Sequence, residues 1–354
     1  MTFYYIMAFL IPLILSYLLT PIAKKLAYKC GAIDVPKDER RVHCTPIPRL
    51  GGLAIYLSTI ITLLILAPKD STLFIILLAG SIIAISGMVD DIKPMSAKLK
   101  LAFQILAAVT VVVGGITIDS VTIPISGNII DLKLLAIPIT IFWIVGITNT
   151  LNLIDGLDGL SAGVSGISSL SFFFIAMNMA TRLDDPKLMA LPILMSLVVA
   201  GSAFGFLPHN FNPARIFMGD TGSLFLGFML SVIAVEGAMK SIAAILIPLL
   251  VLGLPIFDTT FAIVRRFINK KPIMQADRGH LHHRLLDKGL SQKQTVLVLY
   301  VISLLLGTSG ILFSHLSIGI GLFVLAIVTM MIVNTARIGT GQTVRVDTRD
   351  IEKK

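Results

Sequence analysis

Apolar residues run along this chain in long, nearly charge-free blocks, with the polar residues crowded between them. Eleven blocks stand out, at about 3–23, 50–67, 72–88, 99–118, 133–150, 160–180, 188–208, 220–236, 241–264, 294–313 and 316–335. No Asp, Glu, Lys or Arg interrupts Thr72 to Met88 or Leu188 to Leu207. About 20 apolar residues let an α-helix cross the hydrocarbon core, and a charge at its centre costs about 2.5–3.5 kcal/mol on insertion scales. The pattern therefore predicts an all-α polytopic integral membrane protein with about 11 transmembrane helices. No basic segment precedes the first block, and no small-residue cleavage site separates it from Lys24 and Lys25, so it reads as a span and not a cleaved signal. No repeat or soluble-sized insertion breaks the series. One membrane-embedded domain over 1–354 is expected, ending in a tail at 336–354.

Composition agrees. Of 354 residues, 55% are hydrophobic and 14% charged, and mean hydropathy is +0.91, against about 25% charged in soluble domains. These figures exclude a soluble or a disordered chain, and two cysteines exclude a disulfide scaffold. The loops on the Lys24 side hold 24 of the 29 Lys and Arg, which makes that side cytoplasmic, the N-terminus outside and the C-terminus inside. The net charge of +9 thus marks topology and calls for no nucleic-acid partner. Cys30 and Cys44 fall in the first cytoplasmic loop, where thiols stay reduced, and their spacing matches no zinc motif.

Four polar clusters lie at cytoplasmic helix ends, as a shallow cytosol-facing site requires. Asp90-Asp91 closes the third block, with Lys98 and Lys100 after it; adjacent carboxylates repel unless a cation or proton intervenes. Asn149, Asn152, Asp155 and Asp158 recur every three residues and would line one face if their helix continued. Carboxylates at a helix C-terminus oppose its dipole, which points to a bound cation. Asp220 opens the eighth block with Ser223 three residues on. It suits an N-cap with a capping box, and it equally marks a helix N-terminus fit for phosphate. The longest cytoplasmic loop carries Asp277-Arg278-Gly-His280-Leu-His282-His283-Arg284, where arginine forks and histidines suit phosphate better than zinc. Carboxylates for a divalent metal, an Arg/His set for phosphates and a lipid-embedded platform together suggest phosphoryl transfer to or from a lipid.

In this order the clusters resemble the polyprenyl-phosphate N-acetylhexosamine-1-phosphate transferase family. The resemblance runs from about Asp34 to Gly289. It rests on Asp34-Val-Pro36, His43 with Pro46-Ile-Pro-Arg49-Leu-Gly-Gly52, Val89-Asp90-Asp91, Asn149 to Gly159, Phe217-Met-Gly-Asp220-Thr-Gly-Ser223 and the histidine loop. It implies transfer of a sugar 1-phosphate from a UDP-sugar to polyprenyl phosphate, releasing UMP, with Mg²⁺ (or Mn²⁺ in its place) at the inner face of a bacterial plasma membrane. The order His280-Leu-His282-His283, and Thr45-Pro-Ile-Pro-Arg49, are similar to the branch using UDP-GlcNAc and undecaprenyl phosphate. The alternative is the phospho-MurNAc-pentapeptide branch, whose loop typically has three consecutive histidines.

By the same resemblance, Asp220 is a metal ligand, joined by Asp155, and Asp90 deprotonates or positions the lipid phosphate. Asp91, Asn152, Asp155 and Asp158 complete the acidic centre, and Lys100 lies near the phosphates. Phe217 stacks on uracil beside Asn210. His280, His282, His283 and Arg278 contact the donor, and Arg49 and His43 join the substrate-binding set. The family also implies a homodimer and a broken ninth helix, which Pro248 and Pro255 favour. Direct displacement is the expected route, with a covalent aspartyl intermediate as the alternative. A secondary transporter is the rival from another class; it needs its ionisable groups near the midplane, not at one edge.

Overall fold

The computed structural model describes residues 2–35, 46–122, 129–237, 246–269 and 280–315. Helices α1 (Thr2–Cys30), α2 (Gly52–Leu66), α3 (Ser71–Ile92), α4 (Ala97–Val113), α5 (Ala136–Ile154), α6 (Leu160–Ala180), α7 (Ala190–Asn210) and α8 (Gly219–Glu236) follow the first eight apolar blocks in order. Starts are set by side-chain caps: Asp70 accepts from the Leu73 amide to open α3, and Ser96 from the Leu99 amide to open α4. Residues Thr221 to Glu236 of α8 are all buried, and α2, α3, α5, α6 and α7 pack around it. Such a helix, apolar on every side, belongs at the centre of a bundle. At Gly52 a Cβ would overlap the backbone of Gly222, so α2 and α8 approach as closely as two helices can.

The ninth block is broken as expected, into α9 (Leu246–Val251) and α10 (Gly253–Ile268). Pro255 has no N–H to offer the Val251 carbonyl, and its ring crowds that turn. The freed carbonyl accepts instead from the Ser168 hydroxyl of α6 at 3.1 Å. A short α11 (Leu281–Asp287) carries the histidines, and α12 (Gln292–His315) returns along α6. Two antiparallel pairs that the apolar pattern does not announce are β1 (Ile33–Asp34) with β2 (Ile47–Pro48), and β3 (Ser120–Thr122) with β4 (Ile129–Asp131).

Among the described residues, seven helices are long and apolar enough to cross a membrane: Phe3–Cys30, Ser71–Ile92, Lys133–Ile154, Leu160–Ala180, Pro186–Asn210, Gly219–Glu236 and Gln292–Ser314. The chain is a multi-pass membrane protein. Of the other expected spans, α2 has 15 residues, α4 has 17, and the ninth is split. The eleventh, at 316–335, and the tail lie outside the described residues, as do His43 and Arg278.

Candidate active site

The C-terminal ends of α3, α5 and α7 and the N-terminal ends of α2, α4, α6 and α8 meet at one end of the bundle. There they enclose a cavity of about 650 Å³. Asp34, Arg49, Asp91, Asn152, Asp155, Asp158, Asn210, Phe217, Asp220 and His283 all line it. Residues from six separate sequence motifs are thereby brought together. Asp90, Lys100, His280 and His282 stand behind the wall.

Asp91 sits at the start of α8. Its Oδ1 accepts from the Asp220 amide at 3.0 Å, and its Oδ2 from the Thr221 amide at 3.0 Å and hydroxyl at 2.6 Å. The cap expected from Asp220 is therefore supplied by another helix. These amides are already satisfied, so they do not form the phosphate site that the spacing also allowed. Gly219 has φ +71°, and a Cβ there would collide with both the Arg49 carbonyl and the Asp91 carboxylate. Only glycine serves this turn. Arg49 donates to the Asp91 carbonyl at 3.0 Å and the Asp90 carbonyl at 3.3 Å, a cation closing the C-terminus of α3.

Asp220, released from capping, points into the centre. Lys100 Nζ lies 2.7 Å from Asp220 Oδ2 and 2.8 Å from Asp90 Oδ2, and Asn152 donates to Asp220 Oδ1 at 3.1 Å and to the Ser223 hydroxyl at 2.9 Å. The other oxygen of buried Asp90 accepts from the Met95 amide at 2.7 Å. Asp90 thus has one oxygen on the Met95 amide and the other on Lys100.

The polar spacing from Asn149 to Asp158 does not make a single face, because α5 ends at Ile154 and Asp155 is its C-cap. Asn149, one turn deeper, exchanges amide hydrogen bonds with Gln104 of α4 at 2.6 and 3.2 Å. Gln104, a polar residue inside an apolar block, carried the signal for this bracket. Asp158 accepts from the Asn212 side chain at 2.9 Å and the Ala214 amide at 3.0 Å. Asn210 is buried, accepting from the Gly159 amide and donating to the Ile216 carbonyl, each at 3.0 Å. Both residues shape the wall more than they offer free groups. Phe217 is held by backbone pairing of its amide with Pro48 and its carbonyl with Gly51.

Desolvation pushes the Asp155 carboxyl up to about 8, and the charges of Asp220, Asp91 and Asp158 add to the rise. Burial lowers His282 to about 3, with His283 and His280 adding to the fall, so this ring is neutral at physiological pH. It packs against Gly156 and does not face the cavity, where it was expected to touch the donor.

A curated relative described as "probable undecaprenyl-phosphate N-acetylglucosaminyl 1-phosphate transferase", from Bacillus subtilis, is 41% identical over 91% of this chain and 88% of its own. Residues 73–238 match glycosyl transferase family 4. The chain belongs to that family. Other family members include a decaprenyl-phosphate N-acetylglucosaminephosphotransferase of Mycobacterium leprae, 34% identical over 81% of this chain and 78% of its own. A phospho-N-acetylmuramoyl-pentapeptide-transferase of Desulfitobacterium hafniense is 32% identical over 86% and 95%.

Proposed function

We propose that this glycosyl transferase family 4 protein moves GlcNAc-1-phosphate from UDP-GlcNAc to undecaprenyl phosphate. The observation that carries the chemistry is the acidic cavity at the helix ends, lined by Asp220, with Lys100 set behind it between Asp220 and Asp90. In the reaction, an oxygen of the lipid phosphate forms a bond to the β-phosphorus of the donor. The bond from that phosphorus to the bridging oxygen breaks, and UMP leaves. The Lys and Arg distribution supports a cytoplasmic site and a plasma-membrane location.

Among the described residues no three His, Cys, Asp or Glu side chains are gathered as a ready metal cage. Mg²⁺ needs none, because it usually takes one or two carboxylates and completes its shell with water and substrate phosphate. Asp220 and Asp155 fit such a site, since negative charge accumulates there with Lys100 as the cation held against Asp220. Bound Mg²⁺ would neutralise charge on the departing UMP. Asp91 and Asn152 hold Asp220 in its orientation, Asp90 keeps Lys100 aimed at the phosphates, and Phe217 offers a face for the uracil ring. Positioning and electrostatics supply the catalysis, as in other phosphoryl transfers.

The test is UMP release by purified protein in detergent with Mg²⁺ and undecaprenyl phosphate. Release from UDP-GlcNAc and not from UDP-MurNAc-pentapeptide is expected. Release from the pentapeptide donor alone overturns the choice of sugar, and silence with both overturns the reaction.

A further inference from the structure

Asp258 lies in the second turn of α10 and is buried, although it lines no part of the catalytic cavity. Its Oδ1 accepts from the Leu281 amide at 2.7 Å, which fixes the first residue of α11. Its Oδ2 lies 2.8 Å from Nδ1 of His280. A carboxylate only accepts, so the His280 proton facing it sits on Nδ1. One side chain thereby sets both the start of the histidine helix and the tautomer of the ring before it. The His280 ring stacks on His282 with planes 6° apart and centroids at 5.7 Å. His282 lies 4.3 Å from His283, which reaches the cavity. The other edge of His282 rests on Gly156, next to Asp155. An unbroken series of contacts thus leads from the interrupted membrane helix to the cavity wall.

Burying a carboxylate away from water is costly, and an uncharged acceptor would have capped the Leu281 amide. The second oxygen, committed to His280, is what only Asp or Glu supplies. We propose that Asp258 is a positioning residue for donor binding: through His280 it holds the histidine helix so that His283 faces the sugar nucleotide. This rests on the reading of the cavity as a UDP-sugar site.

Asp258→Asn keeps the size and the acceptor for Leu281 while presenting an N–H₂ to His280, so the ring must turn or switch tautomer. The expected result is a rise of about tenfold in KM for UDP-GlcNAc, in the range seen when partners orienting a functional histidine are removed. KM for undecaprenyl phosphate should not move. His280→Gln should give the same split, and the double variant should be no worse than either single one. A loss that is only in kcat, an equal rise in both KM values, or multiplying effects in the double variant would each overturn the role. If Asp258→Asn does not fold, Asp258→Glu carries the same test, since it keeps the charge and displaces α11; an unsplit KM there also overturns it. Wild-type protein that turns over no UDP-GlcNAc sinks both this inference and the functional reading. Normal wild-type turnover with unmoved variants sinks this inference alone.

Discussion

Two helices in this molecule begin on a carboxylate borrowed from a different helix, and they begin very differently. At α8, the central helix, Asp91 of α3 receives two amides and a hydroxyl. That junction is also locked by the Gly52–Gly222 approach and by backbone pairing of 217–218 with 48–52. At α11, Asp258 receives one amide and one imidazole, on a seven-residue helix held by the stub of a broken span. The far end of that stub is open, with Phe267 75% and Ile268 71% exposed. The same device therefore serves a fixed centre in one place and an adjustable wall in the other. A buried cap is as rigid as what surrounds it.

The largest test of this contrast is Asp91→Ala. It strands two amides and a hydroxyl away from water, at about 1–3 kcal/mol for each unsatisfied group. A clear fall in thermal midpoint is expected together with a loss of turnover of about 100-fold or more, the scale seen when a preorganised polar group is removed. Differential scanning fluorimetry in detergent and UMP release measure the two. A variant that keeps its thermal midpoint would break the comparison, because α8 would then be as tolerant as α11.

Next comes Gly156→Ala. The added methyl would stand 2.7 Å from His282 Nε2, so the ring must move, at about 1–3 kcal/mol for overpacking. Several-fold weaker donor binding is expected together with a fall in thermal midpoint smaller than that of Asp91→Ala, and KM for the two substrates tells which side of the cavity has shifted. An equal rise in both values would place Gly156 with the fixed centre.

The last test concerns Asp155 in metal-free protein. Its carboxyl titrates near 8 when folded against 3.8 ordinarily, so between those values the folded state holds the extra proton. This group's contribution to stability is therefore fully present below about pH 4 and is lost as pH rises through 8. Asp155→Asn removes that loss, so thermal midpoints followed from pH 5 to 9 should fall less steeply in the variant. Parallel curves would show that Asp155 carries no raised titration.

Much of this arrangement was legible in the chain because it depends on local pattern. The apolar blocks placed the first eight helices, and Pro248 and Pro255 marked the break in the ninth. Isolated carboxylates at block ends marked the cavity. What stayed hidden was pairing across long separations. Nothing local says that Asp91 caps a helix 130 residues away, or that Gln104 draws Asn149 from the polar series. The resemblance put Asp158 in the acidic centre and Asn210 beside Phe217, and only the fold shows that both also hydrogen-bond across the cavity wall. Asp258 showed only as an acid inside an apolar block; its partners come from a loop whose path no periodicity fixes.

The shortness of α2 has a consequence for where the chemistry happens. Fifteen residues span about 22 Å at 1.5 Å each, against about 30 Å of hydrocarbon. With the end beside Lys69 and Asp70 placed at one boundary, a helix of this length brings Gly52 to about 8 Å short of the other. Its neighbour α3 starts from the same turn and runs 22 residues, about 33 Å, so the cavity-lining Asp91 near its end lies at that boundary while Gly52 lies below it. An isoprenoid phosphate can then reach the reaction centre by sliding sideways within its own leaflet, without being lifted into water.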